Sequence, residues 1–221
     1  MRKHVIFDMD GVLVDSEPVH MQILAEVLRE MGVEITKEYH FTLVGMGALM
    51  LWEKLKKDFG LQGDPKDLLE AHKAYFFEVI GDRDIPPTSG ISELLDRLRA
   101  SGYNLSLGSS SPVKLIDIFM DKVNLREYFD YVVSSEHVAN GKPFPDIFLK
   151  ISELYGIAPE SFVVIEDSRN GVKAARAAGM QCIGYRNENS GNQDLSAADL
   201  LIDDFRELTT AKMDMFYLVN E

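Results

Sequence analysis

The stretch Val5-Ile6-Phe7-Asp8-Met9-Asp10-Gly11-Val12-Leu13-Val14-Asp15-Ser16 decides how the rest of the chain is read. Its opening apolar run has no polar alternation, the mark of a strand buried on both faces, as in a parallel sheet. The run then ends in acids. Asp8 and Asp10 stand two residues apart, so extended backbone turns both carboxylates to the same side. Two carboxylates held that close repel each other and are costly to desolvate. A hard cation such as Mg²⁺, which favours oxygen ligands, relieves that repulsion. Gly11 then lets the chain turn sharply. The bland alternative is an acidic surface turn after a strand.

Outward from Ser16 the pattern becomes helical. Val19, Ile23, Leu24, Val27, Leu28 and Met31 recur at helical spacing, Pro18 suits an opening turn and Gly32 a stop. Leu51, Leu55 and Phe59 predict a second helix ending near Gly60. Leu68, Leu69, His72, Tyr75, Phe76, Val79 and Ile80 predict a third, opened at Asp64-Pro65. No strand-like run occurs between Ser16 and Asp84, so a helical block is expected across 16–85, inserted after the first strand. Ile85-Pro86-Pro87-Thr88-Ser89-Gly90 reads as a hinge-like connector.

After it, helices and strands alternate. Strands are expected at Tyr103 to Leu107, Tyr131 to Val133, Phe162 to Ile165, Gln181 to Tyr185 and Asp199 to Ile202. Alternation implies an α/β fold with a parallel sheet and right-handed crossovers, formed by 1–15 and 86–221. Open sheets of this kind bind ligands at the carboxyl ends of their strands. The chemical residues fall there: Asp8 and Asp10, then Ser109, Ser110 and Ser111, then Glu166 and Asp167, with Lys142 at the mouth of a helix. The tail after Phe205, with Met213, Met215, Phe216, Tyr217 and Leu218, can dock on the core, meet a partner chain or fray. The sequence leaves all three open.

At 221 residues, with 46% apolar content, the chain can bury one good core and a further small domain. Thirty-six acids against 23 bases give a net charge of −13, which argues against nucleic acid and anionic membrane as partners. Cys182 is the one cysteine, which excludes an intramolecular disulfide and fits a reducing compartment. No apolar run approaches 18 residues and no signal peptide is recognisable, so a cytoplasmic protein is expected. One interrupted α/β unit makes no demand for a partner, so a monomer is expected.

Each remaining motif has two readings. Ser109, after a strand and beside Gly108, offers a hydroxyl and neighbouring N–H groups to an anion. Equally, Ser111 before Pro112 suits a helix start. Lys142, between Gly141 and Pro143, is either a fixed charge or a solvated lysine. Glu166-Asp167-Ser168 supplies two further acids for oxygen coordination, or an N-cap for the helix near Asn170.

Taken together, DMDGVLVDS, LGSSS, GKPFPD and VIEDSRNGVKAARAAGM resemble, in order, the four motifs of the haloacid dehalogenase superfamily. The likeness is to its phosphatase and β-phosphoglucomutase-like branch and spans about residues 3–204. It implies a Rossmann-like, doubly wound core with an inserted α-helical cap. It implies Mg²⁺-dependent phosphoryl transfer from a small phosphorylated metabolite, with sugar phosphates favoured. Asp8 would be the nucleophile and Asp10 the acid/base. Ser109, Ser110 and Lys142 would hold the phosphoryl group. Asp8, Asp10 through its carbonyl, and Asp167 would hold Mg²⁺, with Glu166 acting directly or through water. His20 matches a histidine that assists β-phosphoglucomutases, and reads equally as a helix-surface or interdomain residue. His72 and His137 read as structural.

The resemblance also sorts alternatives. A hydrolytic dehalogenase needs neither Asp10 nor a metal. A phosphonatase uses a cap lysine, and nothing marks Lys54, Lys56 or Lys57 for that role. A β-phosphoglucomutase holds a distant phosphate with a cap arginine, where Val44-Gly45-Met46-Gly47-Ala48-Leu49 has Ala48. That departure favours hydrolysis, with the mutase as the alternative enzyme and a non-catalytic binding protein as the alternative class.

Overall fold

The structure, a computed structural model, describes residues 3–217. The chain divides into two compact units, one made of the chain up to Asp15 and from Ile85 onward, the other of Ser16–Asp84.

The first unit is α/β. Its strands are β1 (His4–Phe7), β2 (Asn104–Ser109), β3 (Tyr131–Ser134), β4 (Phe162–Glu166), β5 (Gln181–Tyr185) and β6 (Leu200–Ile202). They form one parallel sheet in the order β3-β2-β1-β4-β5-β6, a doubly wound arrangement whose direction of progression reverses beside β1. β1 is buried at every position, as its unbroken apolar run requires. Register sets the level of the site. Phe7 pairs with Leu107 on one side and Ile165 on the other, so Asp8, Gly108 and Glu166 arrive side by side at one sheet edge.

The second unit is helical: α1 (Glu17–Glu30), α2 (Lys37–Phe41), α3 (Ala48–Phe59) and α4 (Pro65–Val79). On α1, Val19, Ile23, Leu24, Val27 and Leu28 form the buried stripe. The unit's interior joins Leu24, Val27, Leu28, Leu43, Trp52, Leu55 and Leu61. Full burial of one such side chain stabilises by roughly 1.5–3 kcal/mol, against tenths for helix propensity, so packing holds these helices. The ends are set locally. Asp64 accepts the Lys66 N–H at 2.8 Å to open α4, and Gly60 takes φ 67° to close α3.

The first unit's helices are α5 (Ile91–Ala100), α6 (Val113–Val123), α7 (Asp146–Tyr155), α8 (Arg169–Ala177) and α9 (Thr210–Met215). Among the described residues two α-helices were not expected from sequence, the five-residue α2 and the six-residue α9. The described part of the tail docks. Met213 is buried, Tyr217 donates to the His4 carbonyl at 2.6 Å, and Asp214 accepts from Lys3 and Tyr103. Leu218 lies outside the described residues. Among the described residues no helix is long and apolar enough to cross a membrane.

Candidate active site

β1 ends at Phe7, and the Asp8 N–H donates to the Ile165 carbonyl at 3.0 Å, which carries Asp8 one residue past the strand beside β4. The turn behind it is tied by Gly11, Leu13 and Val14 N–H groups, and Gly11 has φ 80°. A Cβ there would stand 2.0 Å from an Asp167 oxygen, so glycine serves both the backbone conformation and the close approach.

Lys142 reaches the same place from the loop before α7. Its side chain is only 4% exposed, which excludes the solvated reading. Its three N–H donors are used by Asp8, by the Gly108 carbonyl at 2.8 Å and by Glu166 at 2.6 Å, and its Nζ lies 4.9 Å from the Phe148 ring centre. Glu166 is fully buried. Its other oxygen accepts from the Ser168 N–H at 3.0 Å and the Ser168 hydroxyl at 2.9 Å. Ser168 also caps α8 by accepting the Gly171 N–H at 3.0 Å. Gly171 is where Glu166 lies, since a Cβ would fall 1.6 Å from its carboxylate oxygen.

Asp8, Glu166 and Asp167, all buried, bring one oxygen each to within 4.8 Å of one another. The Asp10 carboxylate is outside that cluster and accepts from the Ser111 hydroxyl at 2.8 Å. The side chains that could hold a cation together are therefore Asp8, Glu166 and Asp167, and the Asp10 carboxylate is not among them. Ser111 does not cap α6, whose N-cap is Pro112. Ser109 is buried and accepts the Ser111 N–H at 3.0 Å. Ser110 is exposed and its carbonyl accepts from Ser135 at 2.7 Å.

Burial, partly offset by the Lys142 ammonium, pushes Asp8 up to about 8, with Glu166 and Asp10 adding to the rise. Burial and the charges of Glu166 and Asp8 raise Asp167 well above the usual carboxylate range. Burial opposes charge on Lys142, but Asp8 and Glu166 outweigh it and hold the ammonium above its ordinary value. Three buried carboxylates thus crowd together, and the Lys142 ammonium bonds to two of them, Asp8 and Glu166. That surplus of negative charge, on hard oxygen donors, fits a divalent cation such as Mg²⁺.

Two of the histidines have defined surroundings. His20, in the helical unit, stacks on Phe76 with ring centres 5.0 Å apart. His137 accepts the Ser134 N–H at 3.1 Å, closing a turn. Sequence reasoning missed the loop after β5. Ser190 donates its hydroxyl to Asp167, Asn187 donates to the Gly11 carbonyl at 2.8 Å, and Asn189 donates to Asp15 at 2.8 Å. A polar turn following a strand looks alike whether it faces solvent or a site, so only adjacency of β4 and β5 could have revealed it.

A family model described as haloacid dehalogenase-like hydrolase matches residues 5–185. The chain belongs to that family. Among its relatives, this hydrolase is 34% identical over 183 residues to the phosphorylated carbohydrates phosphatase of Thermotoga maritima, covering 81% of this chain and 82% of that one. It superposes on the crystal structure of CbbY from Rhodobacter sphaeroides in complex with phosphate with TM-score 0.80 and 26% identity, over 97% of this chain and 100% of that one. The putative β-phosphoglucomutase of Thermotoga maritima gives TM-score 0.77 and 28% identity, over 98% and 99%.

Proposed function

We propose that this hydrolase is a Mg²⁺-dependent phosphatase of small phosphorylated carbohydrates, working through phosphorylated Asp8. The observation that carries the reading is the cluster itself. The Asp8 carboxylate touches an ammonium while two more acids crowd it, an arrangement suited to a nucleophile facing a dianionic phosphate. Support for the substrate class comes from the carbohydrate phosphatase relative.

In this reading one Asp8 oxygen attacks phosphorus as the bond to the sugar oxygen breaks, and the phosphoryl group passes to Asp8. Asp10 gives its proton to the departing alkoxide. It then takes one from the water that attacks the phosphoryl phosphorus, which frees phosphate and restores Asp8. Its bond to Ser111 orients that carboxylate. Ser109, already accepting from Ser111, keeps its own O–H to donate to a phosphoryl oxygen, and Lys142 offsets charge there. Asp8, Glu166, Asp167 and the Asp10 carbonyl would hold Mg²⁺, which when bound neutralises charge between carboxylate and phosphate.

Likeness to a putative β-phosphoglucomutase favours a second reading, phosphosugar mutase. Against it, Ala48 opens α3 exposed, and residues 44–50 contain no basic side chain to hold a second phosphate. The two separate in one assay. With Mg²⁺ and a panel of sugar phosphates, including β-glucose 1-phosphate, the phosphatase releases phosphate and Asp8→Asn does not. Glucose 6-phosphate formed with little free phosphate would establish the mutase instead.

A further inference from the structure

The loop after β5 reaches back to the catalytic turns at four points. Asn187 holds the Gly11 carbonyl at 2.8 Å, and Asn189 donates to both Asp15 oxygens, at 3.1 and 2.8 Å. Gln193 accepts the N–H of Arg169, the first residue of α8, at 3.1 Å and donates to the Ser190 carbonyl at 3.1 Å. Between these points Ser190, itself 7% exposed, gives its hydroxyl to Asp167 Oδ2. The contact is crowded, since a Cβ on Gly11 would lie 2.0 Å from that Asp167 oxygen and 2.8 Å from Ser190 Oγ.

Asp167 needs an external brace. β4 ends at Glu166, and the cap of α8 is supplied by Ser168, so neither the ladder nor the helix end orients the Asp167 carboxylate. Rotation about its last side-chain bond is intrinsically loose. A donor on one oxygen fixes the plane and decides which oxygen is left over.

We propose that Ser190 is a positioning residue for the cation site: by engaging Asp167 Oδ2, its hydroxyl sets the carboxylate plane and leaves the other oxygen as the ligand. This rests on the Mg²⁺ reading above. Partners that orient a ligand from behind are generally worth ten- to a hundredfold in metal affinity.

The test is calorimetric titration of magnesium chloride into the full chain, in wild type, Ser190→Ala, Ser190→Thr, Gln193→Ala and Asp167→Asn. Ser190→Ala should weaken Mg²⁺ about tenfold or more. Ser190→Thr keeps the hydroxyl and should stay near wild type. Gln193→Ala loosens the same loop but spares the hydroxyl, so its loss should be clearly smaller. Ser190→Ala binding as wild type does, Ser190→Thr losing as much as Ser190→Ala, or Gln193→Ala losing as much, would each overturn the proposal. Wild type that takes up no Mg²⁺, or Asp167→Asn that binds it equally well, would instead sink the metal reading beneath it. Binding lost in Asp167→Asn but kept in Ser190→Ala sinks the role of Ser190 alone.

Discussion

The edge of the sheet and the interior of the helical unit bury polar atoms on opposite terms. At the sheet edge, every N–H of Lys142 has an acceptor and both Glu166 oxygens are engaged. In the helical unit, the buried ring nitrogens His40 Nδ1, Trp52 Nε1 and His72 Nε2 have no hydrogen-bond partner. An unmet donor or acceptor costs about 1–3 kcal/mol, and a buried charge stripped of its partner costs more. The sheet edge holds its charges in place by pairing them, although elsewhere in the α/β unit Thr88 Oγ1 and Arg97 Nε are buried without a partner. The helical unit is held by shape and apolar contact, so its interior should accept changes that the sheet edge will not.

The sharpest break of that contrast is chemical. Asp8→Asn should abolish phosphate release, by about thousandfold or more if Asp8 is the nucleophile, with circular dichroism unchanged. Next comes Lys142→Met, which leaves Asp8 and Glu166 buried without their ammonium. Urea unfolding in EDTA should show a loss of about 3–5 kcal/mol. A loss under 1 kcal/mol would mean the charges are not held as described.

Gly171→Ala should cost about 2–3 kcal/mol as a buried steric change, although alanine normally favours helices. It should also lower kcat, because the new methyl displaces Glu166. Thermal unfolding and steady-state kinetics check the two parts, and a stabilised, fully active Gly171→Ala would contradict the packing of Glu166 behind α8.

The smallest effect at neutral pH lies in the helical unit. Burial, helped by the nearby charge of His20, lowers His72 to about 4. Between that value and the unfolded value near 6.5, the unfolded chain takes up a proton that the folded chain refuses. Wild type should therefore lose about 2.5 kcal/mol more than His72→Gln on acidification from pH 6.5 to 4. Parallel pH profiles for the two proteins would show that His72 is not kept neutral by its surroundings.

What could be read in advance follows the same division. The strands and the acids at their ends are written locally, as apolar runs that stop at Asp8, Ser109 and Glu166. Lys142 stood out for its Gly-Pro frame, yet its burial depends on Gly108 and Glu166, 34 and 24 positions away in the chain. The Asp8–Asp10 spacing alone does not say where each carboxylate goes, because period-2 spacing keeps side chains on one side only while the strand lasts, and β1 ends at Phe7. Ser190 and the docked tail were illegible for a different reason. Their partners, Asp167 and His4, come from elsewhere in the sheet, and nothing in a polar loop or a mixed tail names them.

The measurement closest to the centre of this account is chemical trapping of the enzyme during turnover. The protein would be mixed with Mg²⁺ and its best sugar phosphate, quenched, reduced with borohydride and mapped by peptide mass spectrometry. Reduction of an aspartyl phosphate converts that aspartate to homoserine. The account predicts homoserine at position 8 and nowhere else, dependent on substrate. Steady phosphate release with Asp8 unmodified, or a trapped phosphoryl group on another residue, would contradict it.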